Sequence, residues 1–507
     1  MAAAALKPEP VKPQESTERK IVLLLCLLGA VHVFIFSAAF PFFNNVDEGM
    51  HFDLILRYAH GDVPRQIELI RADSASYLGL MVSHEYYETA VSFQNHQFPP
   101  PLWTIPAGSR HSDLASRSEI WQTLYNYEVS QPPLYYTIAA LWWHIGEWLG
   151  LHDGRLVYWL RFLNVGLIFG LVWLGYAAAR LIFPENLFLK LGVPAVVAFM
   201  PQSEFYSLGN DMISSLCFGV AFICVIRWLR AERPSVGLGV TTGLALAATF
   251  LAKGTNLPLL AVAIAVIVFK VRQDARQGRI REKTPALAAL LVSAELPTMV
   301  WIIWCKVHFG DPTGSAVKTQ FLGWTIKPIG QWWHHPIFSP GGLWIYLSGQ
   351  MGTFWQGELW WHGQRLCLPG TDTIYTLLSI VLVGAALPAL WPRYTSSGPE
   401  RAQALQFGLA CFVAGLAFFG LMSIAYDYHG FHNPSREHPY FEAGRMILGA
   451  LIPFLLLFLC GLDRLLNRFG VAVKLVTLVV MISAMLALEI TTDWPVFGSA
   501  YNWFHLP

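Results

Sequence analysis

Charge is what this chain has least of. Asp, Glu, Lys and Arg make up 13% of its 507 residues, against 54% hydrophobic ones. That excludes an ordinary soluble domain and assigns a polytopic membrane protein. The formal net charge of +1 leaves no basic field, which excludes a nucleic-acid partner. Cysteine chemistry is absent as well. The seven cysteines, Cys26, Cys217, Cys224, Cys305, Cys367, Cys411 and Cys460, fall almost entirely in apolar stretches, with neither metal spacing nor a paired pattern. They read as small core hydrophobes. No small-residue cleavage site follows the first apolar run, which is therefore expected to be an uncleaved anchor. Residues 1–20 are polar and Pro-rich, and are expected to form a disordered cytoplasmic tail.

Long apolar runs are what the chain has in abundance. Runs of about 17–25 residues mark membrane-crossing helices. They occur near 21–41, 156–180, 187–206, 212–230, 236–253, 255–270, 285–307, 373–391, 404–425, 441–460 and 473–490. The expectation is an all-α membrane protein with about eleven transmembrane helices. A further run, 133–151, carries His144 and Glu147 among Trp142, Trp143 and Trp148. Such a run suits the membrane interface. If it crossed, the basic stretch Lys270–Lys283 would face outside, against the positive-inside rule. The N-terminus is accordingly expected in the cytoplasm and residues 491–507 outside, as a tail. Loops 42–155, 308–372 and 426–440 then lie on the outer face as folded caps around a transmembrane domain of residues 21–490. No internal repeat is evident.

The scarce polar groups concentrate on that face. Asp47, Glu48 and His51 follow the first run, and two carboxylates beside a span are costly to keep near lipid. Glu204 and Asp211 lie between the third and fourth runs, Lys253 ends the fifth and Arg445 opens the tenth. His362 and Arg365 lie in the second long loop. Each has a plainer reading. The acid pair suits a solvated loop, and His51 an ordinary surface histidine. Asp211 could cap a helix, Lys253 and Arg445 could snorkel to headgroups, and the aromatics of WQGELWW could be interfacial belt.

The order of the motifs narrows the choice. Asp47-Glu48 with His51-Phe52 is similar to the Asp-Glu-x-x-His-Phe pattern of protein O-mannosyltransferases. Gln131-Pro132-Pro133-Leu134 is similar to their His-Pro-Pro-Leu segment, with Gln for His. Glu442-Ala443-Gly444-Arg445-Met446 resembles the Gln-Gly-Arg-Tyr segment of bacterial relatives. The chain thus resembles the GT-C superfamily of membrane glycosyltransferases, firmly in sequence only over 44–64 and 131–136. The resemblance implies transfer of a sugar from a polyprenyl-phosphate donor to a hydroxyl of a lipid, glycan or protein acceptor, with inversion, at a bacterial plasma membrane. It implies Asp47 as base and Glu48 as its orienting partner. Lys253 and Arg445 would bind the donor phosphate, and His51, Glu204, Asp211, His362 and Arg365 would line the cavity. No cofactor is expected, although Asp47 with Asp211 could hold a divalent metal as acids do in oligosaccharyltransferase relatives. The competing class is a lipid or solute transporter or flippase, with Asp47, Glu48 and Lys253 as coupling charges.

Overall fold

The computed structural model describes residues 13–86, 88–94, 98–391, 398–430 and 434–507. Backbone polar groups in lipid have to be satisfied within their own segment, so apolar runs become helices. Among the described residues nine helices are long and apolar enough to cross a membrane: Ser16–Ala39, Asp153–Ile182, Asp211–Arg230, Gly254–Arg276, Ile280–His308, Thr371–Leu390, Pro399–Ala425, Gly444–Leu465 and Val471–Phe497. Two shorter apolar helices, Leu187–Ala198 and Val236–Ala252, occupy the other two expected runs. The protein is an all-α polytopic membrane protein. The strands described form three two-residue antiparallel ladders in the loops.

Several boundaries differ from those expected. The first helix begins at Pro13, so 13–20 is helical, and residues 1–12 lie outside the described residues. The third run stops at Ala198 instead of 206. Pro201 disfavours helical backbone in the residue before it, and 199–210 folds as an irregular turn around a 3-10 segment, Ser203–Phe205. That turn brings Glu204 and Asp211 into the bundle. The last helix runs on to Phe497, and the expected tail is packed: Tyr501 is buried, and Trp503 meets Tyr158 and Phe162 edge-on at 5.3 and 5.5 Å. The 133–151 run is a 15-residue helix, Leu134–Trp148. At 1.5 Å per residue it extends about 22 Å, short of a hydrocarbon core about 30 Å thick. The loop 308–372 contains a 17-residue helix, Pro340–Gln356, capped by Ser339 Oγ accepting from Gly342 N at 3.0 Å. The sequence reading does not anticipate it, because its glycines interrupt the apolar run.

Close backbone approach holds helices together where no water drives association. Val236–Ala252 packs on Ile280–His308 through Gly239 and Gly243, one helical turn apart. A Cβ on Gly239 would meet Ala286 O at 2.1 Å, and one on Gly243 would meet Leu290 O at 2.3 Å. One apolar core fills the bundle. A second lies under the first long loop, where Phe42, Phe52, Leu54, Tyr135, Tyr136, Trp143 and Tyr158 pack together. Asp53 and Arg57 pin this cap. Arg57 bonds Asp53 at 3.0 Å, Glu68 at 2.6 Å and Leu69 O at 2.6 Å, while Asn126 donates to Asp53 at 2.8 Å.

Candidate functional site

Arg161 fixes how the chain leaves the first span. Its guanidinium donates to Ser37 O at 3.2 Å and Phe40 O at 2.5 Å, satisfying carbonyls at the helix end, and stacks 3.6 Å over the Phe42 ring. Glu48 neutralises it, accepting from Arg161 Nη2 at 2.7 Å, Leu208 N at 2.9 Å and Phe43 N at 2.8 Å. Anchored this way, the chain turns at Asp47, whose backbone is left-handed (φ 63°). Asp tolerates that region better than most residues. The Asp47 carbonyl starts the Glu48–Ala59 helix by accepting from Met50 N and His51 N at 2.9 and 3.0 Å. The side chain makes no cap bond and is free to point elsewhere.

It points at Arg445. Arg445 Nη2 lies 2.8 Å from Asp47 Oδ2, and Nε lies 2.8 Å from Glu358 Oε2. Asp211 Oδ2 and Glu204 Oε1 stand 3.8 and 3.9 Å from the same guanidinium, and neither oxygen has a hydrogen bond among the described residues. Asp211 Oδ1 is taken by Lys253. Arg445 reaches this position because Gly444 lies flat on the Pro340–Gln356 helix: a Cβ there would fall 1.9 Å from Gln350 O. Gly444 N also donates to Thr353 Oγ1 at 2.6 Å. The Gly-Arg pair is thus a close approach followed by the charge it delivers.

The carboxylates respond differently. Burial raises the Asp47 pKa, but Arg445, Lys318 and the Tyr127 hydroxyl, 2.7 Å from Oδ1, outweigh it and hold the acid well below the usual carboxylate range. Burial dominates at Glu204, where Arg445 opposes it and Asp211 reinforces it, so that acid is pushed well above its ordinary value. Burial also raises Glu358, with Arg445 opposing. His51 is driven down by burial and bonds Tyr136 OH through Nδ1 at 2.7 Å.

Asp47 also borders a cavity of about 230 Å³, whose walls include Phe43, Asn45, Tyr86, Trp121 and Tyr127. A ring-sized space with aromatic faces and the ionised Asp47 carboxylate can hold a polyhydroxylated molecule and take a proton from it. No three His, Cys, Asp or Glu side chains among the described residues are placed to share a metal ion. The positive charge between Asp47 and Asp211 is Arg445 itself.

Asp47, Glu204, Asp211, Lys253 and Arg445 therefore form one network, drawn from five separate segments. Glu48 lines the same cavity as Asp47, with its carboxylate taken up by Arg161 and two backbone N–H groups, and it braces the turn. His51 sits behind Asp47 on Tyr136. Arg365 is held by Asp372 in a bidentate pair of 2.7 and 3.0 Å, clamping the next helix. His362 lies on the hairpin Trp360–Trp361/Gln364–Arg365, its ring 5.4 Å from that of Trp361 and its backbone N–H donating to Glu85 O at 2.6 Å. Neither bonds to Arg445. Glu358 and Tyr127 are the residues the sequence reading misses. Glu358 had a signal: it is a lone carboxylate in WQGELWW, as exposed to the cost of desolvation as Asp47. Tyr127 had none. The segment 131–136 does pack here. Gln131 Oε1 accepts from Asn210 at 3.2 Å and Tyr135 OH from Gly209 N at 3.1 Å.

Fold and site together define a multi-pass membrane protein with a charged network at one end of its helix bundle. The chain belongs to the family described as predicted membrane protein (DUF2142), whose model matches residues 26–327. That span includes Asp47, Glu204, Asp211 and Lys253, and stops short of Glu358 and Arg445. No curated protein matches the chain.

Proposed function

We propose that this protein is a membrane glycosyltransferase of GT-C type that moves a sugar from a polyprenyl-phosphate donor to a hydroxyl acceptor with inversion. In this reading the N-terminus is cytoplasmic and the site opens on the extracytoplasmic face of a bacterial plasma membrane. The observation that carries it is Asp47: an ionised carboxylate, 2.8 Å from an arginine, on the wall of an aromatic cavity at the end of a membrane span.

Acceptor oxygen attacks the sugar C1, the bond from C1 to the phosphate oxygen breaks with its electron pair leaving on the phosphate, and Asp47 takes the hydroxyl proton. Arg445 and Lys253 supply positive charge for the departing phosphate. Both are already held by acids, so an arriving phosphate has to compete with Asp47 and Glu358 for Arg445. That competition serves the reaction. A charge-assisted hydrogen bond contributes about 1.5–3 kcal/mol, and drawing Arg445 toward the donor removes it from Asp47, which then becomes a stronger base. The donor thereby activates its own catalyst.

A second reading, proton-coupled transport, is favoured by one observation. His32 and Glu489 face each other at 2.9 Å inside two spans, with Tyr206 OH also donating to Glu489. Ionisable groups at such depth suit proton relays. Purified protein reconstituted in lipid separates the two. Cleavage of a labelled polyprenyl-phosphate sugar, lost in Asp47→Asn and kept in His32→Gln, supports transfer. Solute uptake without donor cleavage, lost in His32→Gln, supports transport.

A further inference from the structure

A second cavity, of about 430 Å³, opens between residues 327–336 on one side and 426–428 with 435–439 on the other, and shares no wall residue with the Asp47 cavity. Its walls are built. Thr325–Ile326 pairs antiparallel with Tyr426–Asp427, and Lys327 N donates to Ala425 O at 2.7 Å. His335 closes one side: its Nδ1 accepts from Ile337 N at 3.1 Å, so Nε2 carries the proton and donates to Pro439 O at 2.9 Å. Arg436 grips Asp427 in two parallel bonds of 2.8 and 2.9 Å, so those charges cancel.

What remains is one cation. The Lys327 ammonium is half-buried and has neither a hydrogen bond nor an ion pair among the described residues. Burial lowers its pKa, with Asp427 opposing, as for a cation short of a counter-charge. Gln331 and His334 line the same wall and add donors. The rim is apolar. Trp333 is 74% exposed and Phe338 55%, their rings stacked at 6.0 Å, and Ile326 and Ile329 are each 69% exposed. A single cation with no bonded partner among the described residues, in the same segment as an exposed aromatic rim, matches the boundary between lipid headgroups and tails.

We propose that this cavity binds the phosphate of a lipid headgroup on Lys327, Gln331 and His334, with the hydrocarbon chain laid over Trp333 and Phe338. Inorganic phosphate shares the headgroup chemistry, and the rim selects the lipid. The proposal does not depend on the transfer reaction. It is tested on the full chain in phosphatidylcholine nanodiscs carrying a few per cent of phosphatidic acid or of diacylglycerol, with bound lipid counted by native mass spectrometry. Phosphatidic acid is expected to be retained and diacylglycerol not. Lys327→Gln should weaken retention about 10-fold, the effect of losing one charge-assisted bond, and Lys327→Arg should keep most of it. Trp333→Ser should weaken phosphatidic acid while leaving millimolar binding of inorganic phosphate unchanged. Equal retention of the two lipids, or an unaffected Lys327→Gln, overturns the site. Inorganic phosphate binding as tightly as phosphatidic acid, with Trp333→Ser changing neither, overturns the lipid. If Lys327→Gln does not purify as a single species, Gln331→Leu and His334→Ala give the same comparison.

Discussion

Replacing Glu48 by Gln should damage the fold, although the adjacent Asp47→Asn should not. Glu48 and Arg161 are each 1% exposed. Glu48 Oε1 accepts two Arg161 bonds and Leu208 N, and Oε2 accepts Phe43 N. Whichever way a Gln amide is turned, its NH2 meets an N–H donor, and Arg161 keeps a buried charge without a partner. Breaking one side of such a pair costs about 3–5 kcal/mol. For a chain of this size that lowers the midpoint of heat inactivation by roughly 3–5 °C. Arg161→Gln alone should cost a similar amount, for it also abandons the carbonyls of Ser37 and Phe40. The double variant should be less damaged than the sum of the singles, because no lone charge remains. The assay is the surviving monodisperse fraction after heating, read by size-exclusion chromatography of the detergent-solubilised protein. Wild-type heat resistance in Glu48→Gln would refute the assignment of this carboxylate to the turn and return it to the reactive site.

Arg445→Ala should weaken donor binding and, by freeing Asp47 from its counter-charge, move the acidic limb of the transfer profile to higher pH; Arg445→Lys should restore only part of the binding, since the fork is lost. Glu85 offers a stability test. Burial pushes its carboxyl up to about 7 despite bonds from Ser499 and Ser83. An acid with a raised folded pKa contributes fully below its unfolded value near 4.5, and that contribution fades as pH climbs to about 7. Heat resistance should therefore decline across that window in the wild type and stay flatter in Glu85→Gln. Gly243→Leu should cut the yield of folded protein sharply, because even a Cβ meets Leu290 O at 2.3 Å.

The membrane class and most helices were legible because hydrocarbon demands long apolar runs, and such runs have few other uses. The network was legible in outline, since Asp47, Asp211, Lys253 and Arg445 each sit where a run ends. The division of Asp47 from Glu48 was not. The two adjacent carboxylates meet different partners, and only the fold places Arg161 against one and Arg445 against the other. Glu358 escaped notice because its aromatic neighbours suggested an interfacial belt. The Pro340–Gln356 helix escaped because its glycines interrupt the apolar run, and three of them, Gly342, Gly349 and Gly352, serve close packing: a Cβ on Gly342 would meet Pro336 O, one on Gly349 would meet Glu442, and one on Gly352 would meet Asp372.

The central claim is that Asp47 removes the acceptor proton. The direct measurement is single-turnover transfer from a radiolabelled polyprenyl-phosphate sugar by purified wild-type and Asp47→Asn protein in lipid, with donor binding measured in parallel. The account predicts a loss of about 10²–10⁴-fold in transfer, the range for losing general-base help, with donor still bound. An Asp47→Asn protein that transfers at the wild-type rate would contradict it.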